Sequence, residues 1–348
     1  MSNSSTGSST PALETRTLGR TGLTVTALGL GGAPLGDIYE QLDDATAIAT
    51  VEAAANAGVT MFDTAPLYGQ GSAEHRFGTA LRRRPRDSYV LSTKVGRVLE
   101  PAPEGRTKTT RFVGGLDFNV VHDYTYDATM RSFEASLHRL GVPRIDVLLI
   151  HDADAWSHGP EEGPKKYREA MDGAHKALVE LREQGVIKGI GIGTNDIVYA
   201  AKYLREGDFD CMLMAGRYSL LEQPALAEVL PLAQEKNVGV MLGGVLNSGI
   251  LATGPIAGAT YNYTPAPPGV LEKVTKIERV CQSHGVALPT AAIHFPLGHT
   301  AVASVVLGAV KPNEVERNAE AIQAAIPAAL WSDLKTEGLL DAAAPVPA

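Results

Sequence analysis

Residues 60–94 read TMFDTAPLYGQGSAEHRFGTALRRRPRDSYVLSTK, and this stretch holds one full turn of the pattern that decides the fold. An apolar run at 60–63 is followed by a turn-rich loop, a segment of helical period at 72–83, and a second apolar run at 89–94. Two short buried strands joined by a helix make a parallel βαβ unit. Working outward, further strands are expected at 28–32, 145–150, 187–193, 210–214, 239–243 and 304–308, with helices at 43–56, 127–140 and 167–183. Asp43 and Asp127 are suited to cap their helices, and Gly58 to end the first one in a left-handed turn. Eight strands alternating with helices predict an α/β fold, a (β/α)8 TIM barrel, with a doubly wound open sheet as the alternative. Ahead of it, 15–26 reads as a β-hairpin around Arg20-Thr21-Gly22 that covers the barrel floor. The stretch 99–126 reads as a long loop after strand 3, of the kind that forms lids and binding loops. The expected organisation is therefore a disordered tail at 1–14, one barrel at 15–341 and a short frayed tail at 342–348.

Composition narrows the function. The chain has 348 residues, 44% hydrophobic and 20% charged, with a formal net charge of −8. Such a balance argues against nucleic acid as the main partner, because that binding draws on clustered Lys and Arg. The exception, Arg82, Arg83, Arg84 and Arg86, reads as a solvated helix end. No apolar run approaches membrane-spanning length, and the Ser/Thr-rich N-terminus lacks the features of a signal or anchor, so no membrane partner is expected. Two distant cysteines, Cys211 and Cys281, suit a reducing, cytoplasmic setting. Nothing in the sequence speaks to oligomeric state.

In a parallel barrel every strand C-terminus opens on one face, which makes neighbours of residues distant in sequence. Asp63, Lys94 and His151 end or follow three consecutive strands, and Tyr68 lies in the loop after Asp63. Singly, Asp63 could cap a helix, Lys94 could be solvated and His151 could be a core histidine. Jointly they form a proton-transfer set: a cation at Lys94 favours the Tyr68 phenolate, Asp63 holds the ammonium, and a neutral His151 orients a substrate oxygen. No nucleophile with a base and no convincing metal cage accompanies them, so the fitting chemistry is proton transfer coupled to hydride transfer. His151, Asp152, Asp154 and His158 match no zinc spacing. Gly29, Gly31 and Gly32 lack the third glycine and acidic partner of a dinucleotide fingerprint, and read as a tight strand end.

Phe62-Asp63-Thr64-Ala65 with Tyr68-Gly69, Ser92-Thr93-Lys94 and Leu148-Leu149-Ile150-His151-Asp152 resemble signature blocks of the aldo-keto reductase superfamily over roughly residues 15–325. The resemblance implies Tyr68 as general acid or base, Lys94 and Asp63 as its tuning pair and His151 as the orienting group. It implies a nicotinamide cofactor near Gly32, with Thr194 and Asn195 on the carboxamide, and contacts from Arg217 and Tyr218 after strand 6. Leu246, Ser248, Gly249 and Leu251, with Gly308, Glu314 and Asn318, would hold the pyrophosphate and adenosine ends. This chain departs from the family in having a small residue near Ala215 in place of the usual Gln, and Gly243 in place of the stacking Tyr. Glu314 would repel a 2′-phosphate and accept from a 2′-hydroxyl, which points to NAD, with NADP possible given Lys311 nearby.

The blocks 122–127, 167–193, 215–218 and 243–251 resemble the aldose 1-dehydrogenase branch, which includes D-threo-aldose (L-fucose), L-galactose and pyridoxal 4-dehydrogenases. That implies oxidation of a sugar hemiacetal to a lactone, or of pyridoxal, with substrate contacts from Asp37, Tyr124, Trp156 and Asn247. Two other readings stay open: an NADPH-dependent aldehyde or ketone reductase, and a non-enzymatic nucleotide-binding barrel.

Overall fold

The computed structural model describes residues 12–38, 40–106 and 111–348, so most of the expected N-terminal tail lies outside the described residues. It opens on an antiparallel hairpin, β1 (Thr15–Thr17) and β2 (Thr24–Thr26). Eight parallel strands then close a barrel: β3 (Leu28–Gly31), β4 (Met61–Asp63), β5 (Val90–Val95), β8 (Val147–His151), β9 (Gly189–Thr194), β10 (Cys211–Ala215), β11 (Gly239–Gly243) and β14 (Val302–Gly308). Closure is made by β14 on β3, with Val305 opposite Leu28. Each of the eight expected strands is present, and the open-sheet alternative is excluded.

Strands buried on both faces need apolar residues on both, which is why runs such as Val147–Ile150 do not alternate. Inside the barrel Met61, Val90, Val147, Leu149, Leu213 and Met241 pack together, and Leu18 and Val25 of the hairpin join them as the floor. The opposite, C-terminal end of the strands is left for the site.

Several local expectations are corrected. The loop at 99–126 contains an antiparallel ribbon, β6 (Arg97–Pro101) and β7 (Phe118–His122), standing over the barrel mouth. A second small hairpin, β12 (Thr260–Tyr261) and β13 (Thr264–Pro265), follows β11. The helix Tyr126–Leu140 is capped by Thr125, whose hydroxyl accepts from Ala128 N, and Asp127 instead sits in the first turn, where its charge suits the helix dipole. The helix expected from residue 167 begins at Ala155, because Asp154 caps Ser157 N; Gly159, Pro160 and Pro164 within it disguise the period. Arg86 is no solvated helix end: it pairs with Asp146 and bonds the Arg144 carbonyl. The C-terminus is not frayed, since Ala344 is buried and Val346 packs on the core. Among the described residues no helix is long and apolar enough to cross a membrane.

Candidate active site

Lys94 Nζ donates to Asp63 Oδ2 at 2.6 Å and to the Thr64 carbonyl at 2.8 Å, and Ser92 Oγ donates to Asp63 Oδ1 at 3.0 Å. Parallel pairing of β4 with β5 brings these ends together. Tyr68 is carried by a tight turn in which Gly69, Gln70 and Gly71 all have positive φ. The loop after β3 presses on that turn: a Cβ at Gly36 would stand 2.5 Å from the Tyr68 carbonyl carbon, so only glycine allows the approach. The Tyr68 ring centre lies 5.0 Å from Lys94 Nζ and 5.8 Å from the His151 ring, edge to face. Asp63, Lys94 and His151 are thus gathered beside the Tyr68 phenol.

Burial pushes the Tyr68 phenol well above its usual 10, reinforced by Asp63 and Asp152, and Arg97 supplies the leading counter-pull. The Lys94 charge is matched by Asp63, and Arg97 is itself paired with Asp152 at 2.7 Å. Burial, with Arg97 and Lys94, pushes His151 well below its usual 6.5, so the imidazole is neutral at pH 7. Burial also raises the Asp63 carboxyl, while Lys94 and Ser92 pull it back.

From Tyr68 a cavity of about 780 Å³ runs past Asn195, Gly243 and Gly32 to Gly308, Glu314 and Asn318 on the helix Pro312–Ala321. Leu246, Ser248, Gly249 and Asn247 form its flank after β11. Bare backbone lines much of it, and a Cβ at Gly216 or Gly249 would meet nothing within 4 Å. Its lining, from Tyr68 and Asp63 to Glu314 and Asn318, and its glycine-rich walls fit an extended dinucleotide. Gly243 lines this wall with no side chain.

Other expected residues stand elsewhere. Thr194 donates to Asp154 Oδ2 at 2.5 Å and is buried beneath the site. Arg217 braces Asn195 from behind, donating to its carbonyl at 2.8 Å, and stacks on Trp156, which is half exposed. Tyr218 and Leu251 are core residues, the former packed on Phe295. Of the four substrate candidates only Asn247 lines the cavity. Asp37 is locked to Arg76 at 2.6 Å, and Tyr124 is buried with its hydroxyl on the His151 carbonyl at 2.7 Å. Polar type and loop position had suggested these residues, but neither says which way a side chain points. Conversely, Arg317, Asn262 and Tyr263 line the cavity without having been singled out. For Arg317 the signal was present, one residue before Asn318 on the same helix.

The aldo/keto reductase family profile matches residues 27–336. The chain belongs to the aldo/keto reductase family. This aldo/keto reductase is 42% identical over 338 residues to the pyridoxal 4-dehydrogenase of Microbacterium luteolum, across 94% of this chain and 98% of that one. It is 40% identical over 330 residues to a D-threo-aldose 1-dehydrogenase of a Pseudomonas species, across 92% and 96%. Among solved structures it is similar to the holo form of a Bacillus halodurans aldo-keto reductase, with 25% identity, a TM-score of 0.72, and coverage of 95% and 97%. The aldo/keto reductase is an oxidoreductase acting on CH–OH or carbonyl groups of small molecules, in a family that uses nicotinamide cofactors.

Proposed function

We propose that this aldo/keto reductase is a cytoplasmic NAD-dependent dehydrogenase that oxidises the C1 hydroxyl of a cyclic sugar hemiacetal to a lactone, or oxidises pyridoxal. The observation that carries it is the buried Lys94–Asp63 pair beneath Tyr68, with Tyr68 and Asp63 lining a cavity of about 780 Å³. The two relatives near 40% identity, by their names, support the substrate class.

NAD, when bound, supplies the hydride acceptor. Neutral His151 hydrogen-bonds the substrate oxygen, and Tyr68 Oη, in its phenolate form, takes the hydroxyl proton as the C1–H bond gives up its hydride to the cofactor and the carbonyl forms. Lys94 and Asp63 form a rigid, nearly neutral dipole under the ring, and Tyr124 fixes the strand end that carries His151. Gly32, Asn195, Gly243, Leu246, Ser248, Gly249 and Gly308 would line the dinucleotide. Glu314 would face the adenosine ribose, with one oxygen tied to Val310 N at 2.8 Å and the other left to accept from a 2′-hydroxyl.

One observation favours a second reading, an NADPH-linked carbonyl reductase. Arg317 beside Glu314 lines the cavity and could meet a phosphate, and a phenol raised by burial stays protonated, the form a reduction needs. The deciding experiment follows NADH and NADPH absorbance over a panel of aldoses, pyridoxal and simple aldehydes, for wild type and Tyr68→Phe. Oxidation of an aldose or pyridoxal with NAD, abolished in Tyr68→Phe, supports the dehydrogenase; turnover confined to NADPH and simple aldehydes rejects it.

A further inference from the structure

Asp152 follows His151 at the end of β8 and takes φ 51°, a left-handed turn that Asp tolerates better than most types. Its N–H donates to the Gly193 carbonyl of β9 at 2.9 Å, so the turn is anchored on the neighbouring strand. One carboxylate oxygen, Oδ2, accepts from Arg97 at 2.7 Å and stands 3.5 Å from His151 Nε2. The other, Oδ1, accepts from none of the described residues and, unlike His151 Nδ1, is not shut away from solvent. Burial first, with Asp152 adding to it, raises the phenols of Tyr68 and Tyr263. These are the two aromatic side chains that line the cavity, so the carboxylate stands within electrostatic reach of its catalytic end.

His151 fixes what lies beside this acceptor. Its Nδ1 is buried without a partner, which leaves Nε2 as the ring nitrogen that can meet a substrate, and the nearby carboxylate favours the proton on that nitrogen. An oxygen held by Nε2 is the one whose proton Tyr68 takes, so Asp152 is not needed for that proton. A carboxylate 3.5 Å from the same nitrogen instead falls beside the substituents of the adjacent carbon. In a cyclic aldose that carbon is C2, and its substituent is a hydroxyl. With Oδ2 spent on Arg97, Oδ1 is a fixed, charged acceptor for such a donor. We infer that Asp152, held in place by Arg97, accepts a hydrogen bond from the substrate hydroxyl next to the reacting carbon, and so selects aldoses that carry a C2 hydroxyl. This rests on the aldose reading given above.

The test measures kcat/KM with NAD for an aldose and for its 2-deoxy analogue, in wild type, Asp152→Gly and Asp152→Asn. Glycine suits the positive φ and removes the acceptor. Asparagine keeps the shape and tolerates the same φ; with its carbonyl turned to Arg97 it puts an NH2 where Oδ1 stood, so it decides the matter if the glycine variant does not fold. Wild type should prefer the aldose by about ten- to hundredfold, the range of one hydrogen bond to a charged group. In Asp152→Gly the preference should fall to within about threefold, through loss on the aldose alone, and in Asp152→Asn it should fall in the same sense by a smaller factor. Equal losses on both substrates, with the preference kept, overturn the inference and leave Asp152 a structural partner of Arg97. A wild type that turns over the 2-deoxy analogue as well as the aldose also overturns it. A wild type that oxidises no aldose would instead reject the aldose reading itself, and the inference with it.

Discussion

The ammonium of Lys94 stands 2.6 Å from the carboxylate of Asp63, and both side chains are at most 3% exposed. A pair so withdrawn from water gains little net stability over an apolar pair, because desolvation consumes the Coulombic gain. Its worth is positional: the same ammonium also bonds the Thr64 carbonyl and faces the Tyr68 ring, so the strand ends and the Tyr68 loop are tied at one point.

Breaking the pair on one side should therefore cost more than removing both. Asp63→Asn leaves a buried, uncompensated ammonium, and we expect a loss of about 3–5 kcal/mol in urea unfolding. The double variant Asp63→Asn with Lys94→Met should recover a good part of that stability while remaining inactive. A double variant as unstable as the single one would show that the charge is not the source of the loss.

The pH dependence follows from two opposite shifts. Tyr68 is held above its usual 10, so the base needed for oxidation is scarce at neutral pH, and kcat for oxidation should climb steadily through pH 7–10 without a plateau. The reverse reduction uses the protonated phenol and should stay flat over that range. His151 is buried neutral with its folded pKa depressed below 6.5, so below pH 6.5 the unfolded chain binds more protons than the folded one. Stability is full above that pH and falls as acid is added; His122, held down to about 4 by burial and Arg97, acts in the same sense. Urea midpoints at pH 7.5 and 5.0 test this, and His151→Gln should flatten the difference.

The barrel was legible because strands buried on both faces write themselves as continuous apolar runs, and the candidate site because Asp63, Lys94 and His151 end or follow such runs. The cavity's outer side was not legible. The hairpin of β12 and β13 has two-residue strands, too short for any period, and of its tip residues Asn262 and Tyr263, both at positive φ, the tyrosine is of a type that does not announce it. The start of the helix at Ala155 was hidden by two prolines that the structure accommodates by a kink at Gly159.

On the proposed reading, cofactor choice turns on the Glu314 oxygen that does not bond Val310 N. Replacing it with Gln removes the charge that would repel a 2′-phosphate while keeping a group that can accept from a hydroxyl. Glu314→Gln should shift the ratio of kcat/KM for NADP over NAD toward NADP by about tenfold, with Arg317 left as the attracting cation. Steady-state rates with both cofactors measure it, and an unmoved ratio would take Glu314 out of the selection.

Asp37 offers the sharpest contrast between a site residue and a strut. Its carboxylate is 1% exposed and engages Arg76, whose guanidinium also bonds Asp44, the Leu35 carbonyl and the Leu42 carbonyl. Together these clamp the loop after β3, whose Gly36 presses on Tyr68. Because Asp44 still faces the guanidinium at 2.8 Å, Asp37→Ala leaves it half paired, and we expect a loss of about 2–3 kcal/mol, at or just below the low end for breaking a buried pair. The clamp acts through the Tyr68 backbone, so kcat should fall while the KM for the sugar stays within about twofold. A large rise in KM at unchanged stability would return Asp37 to the substrate.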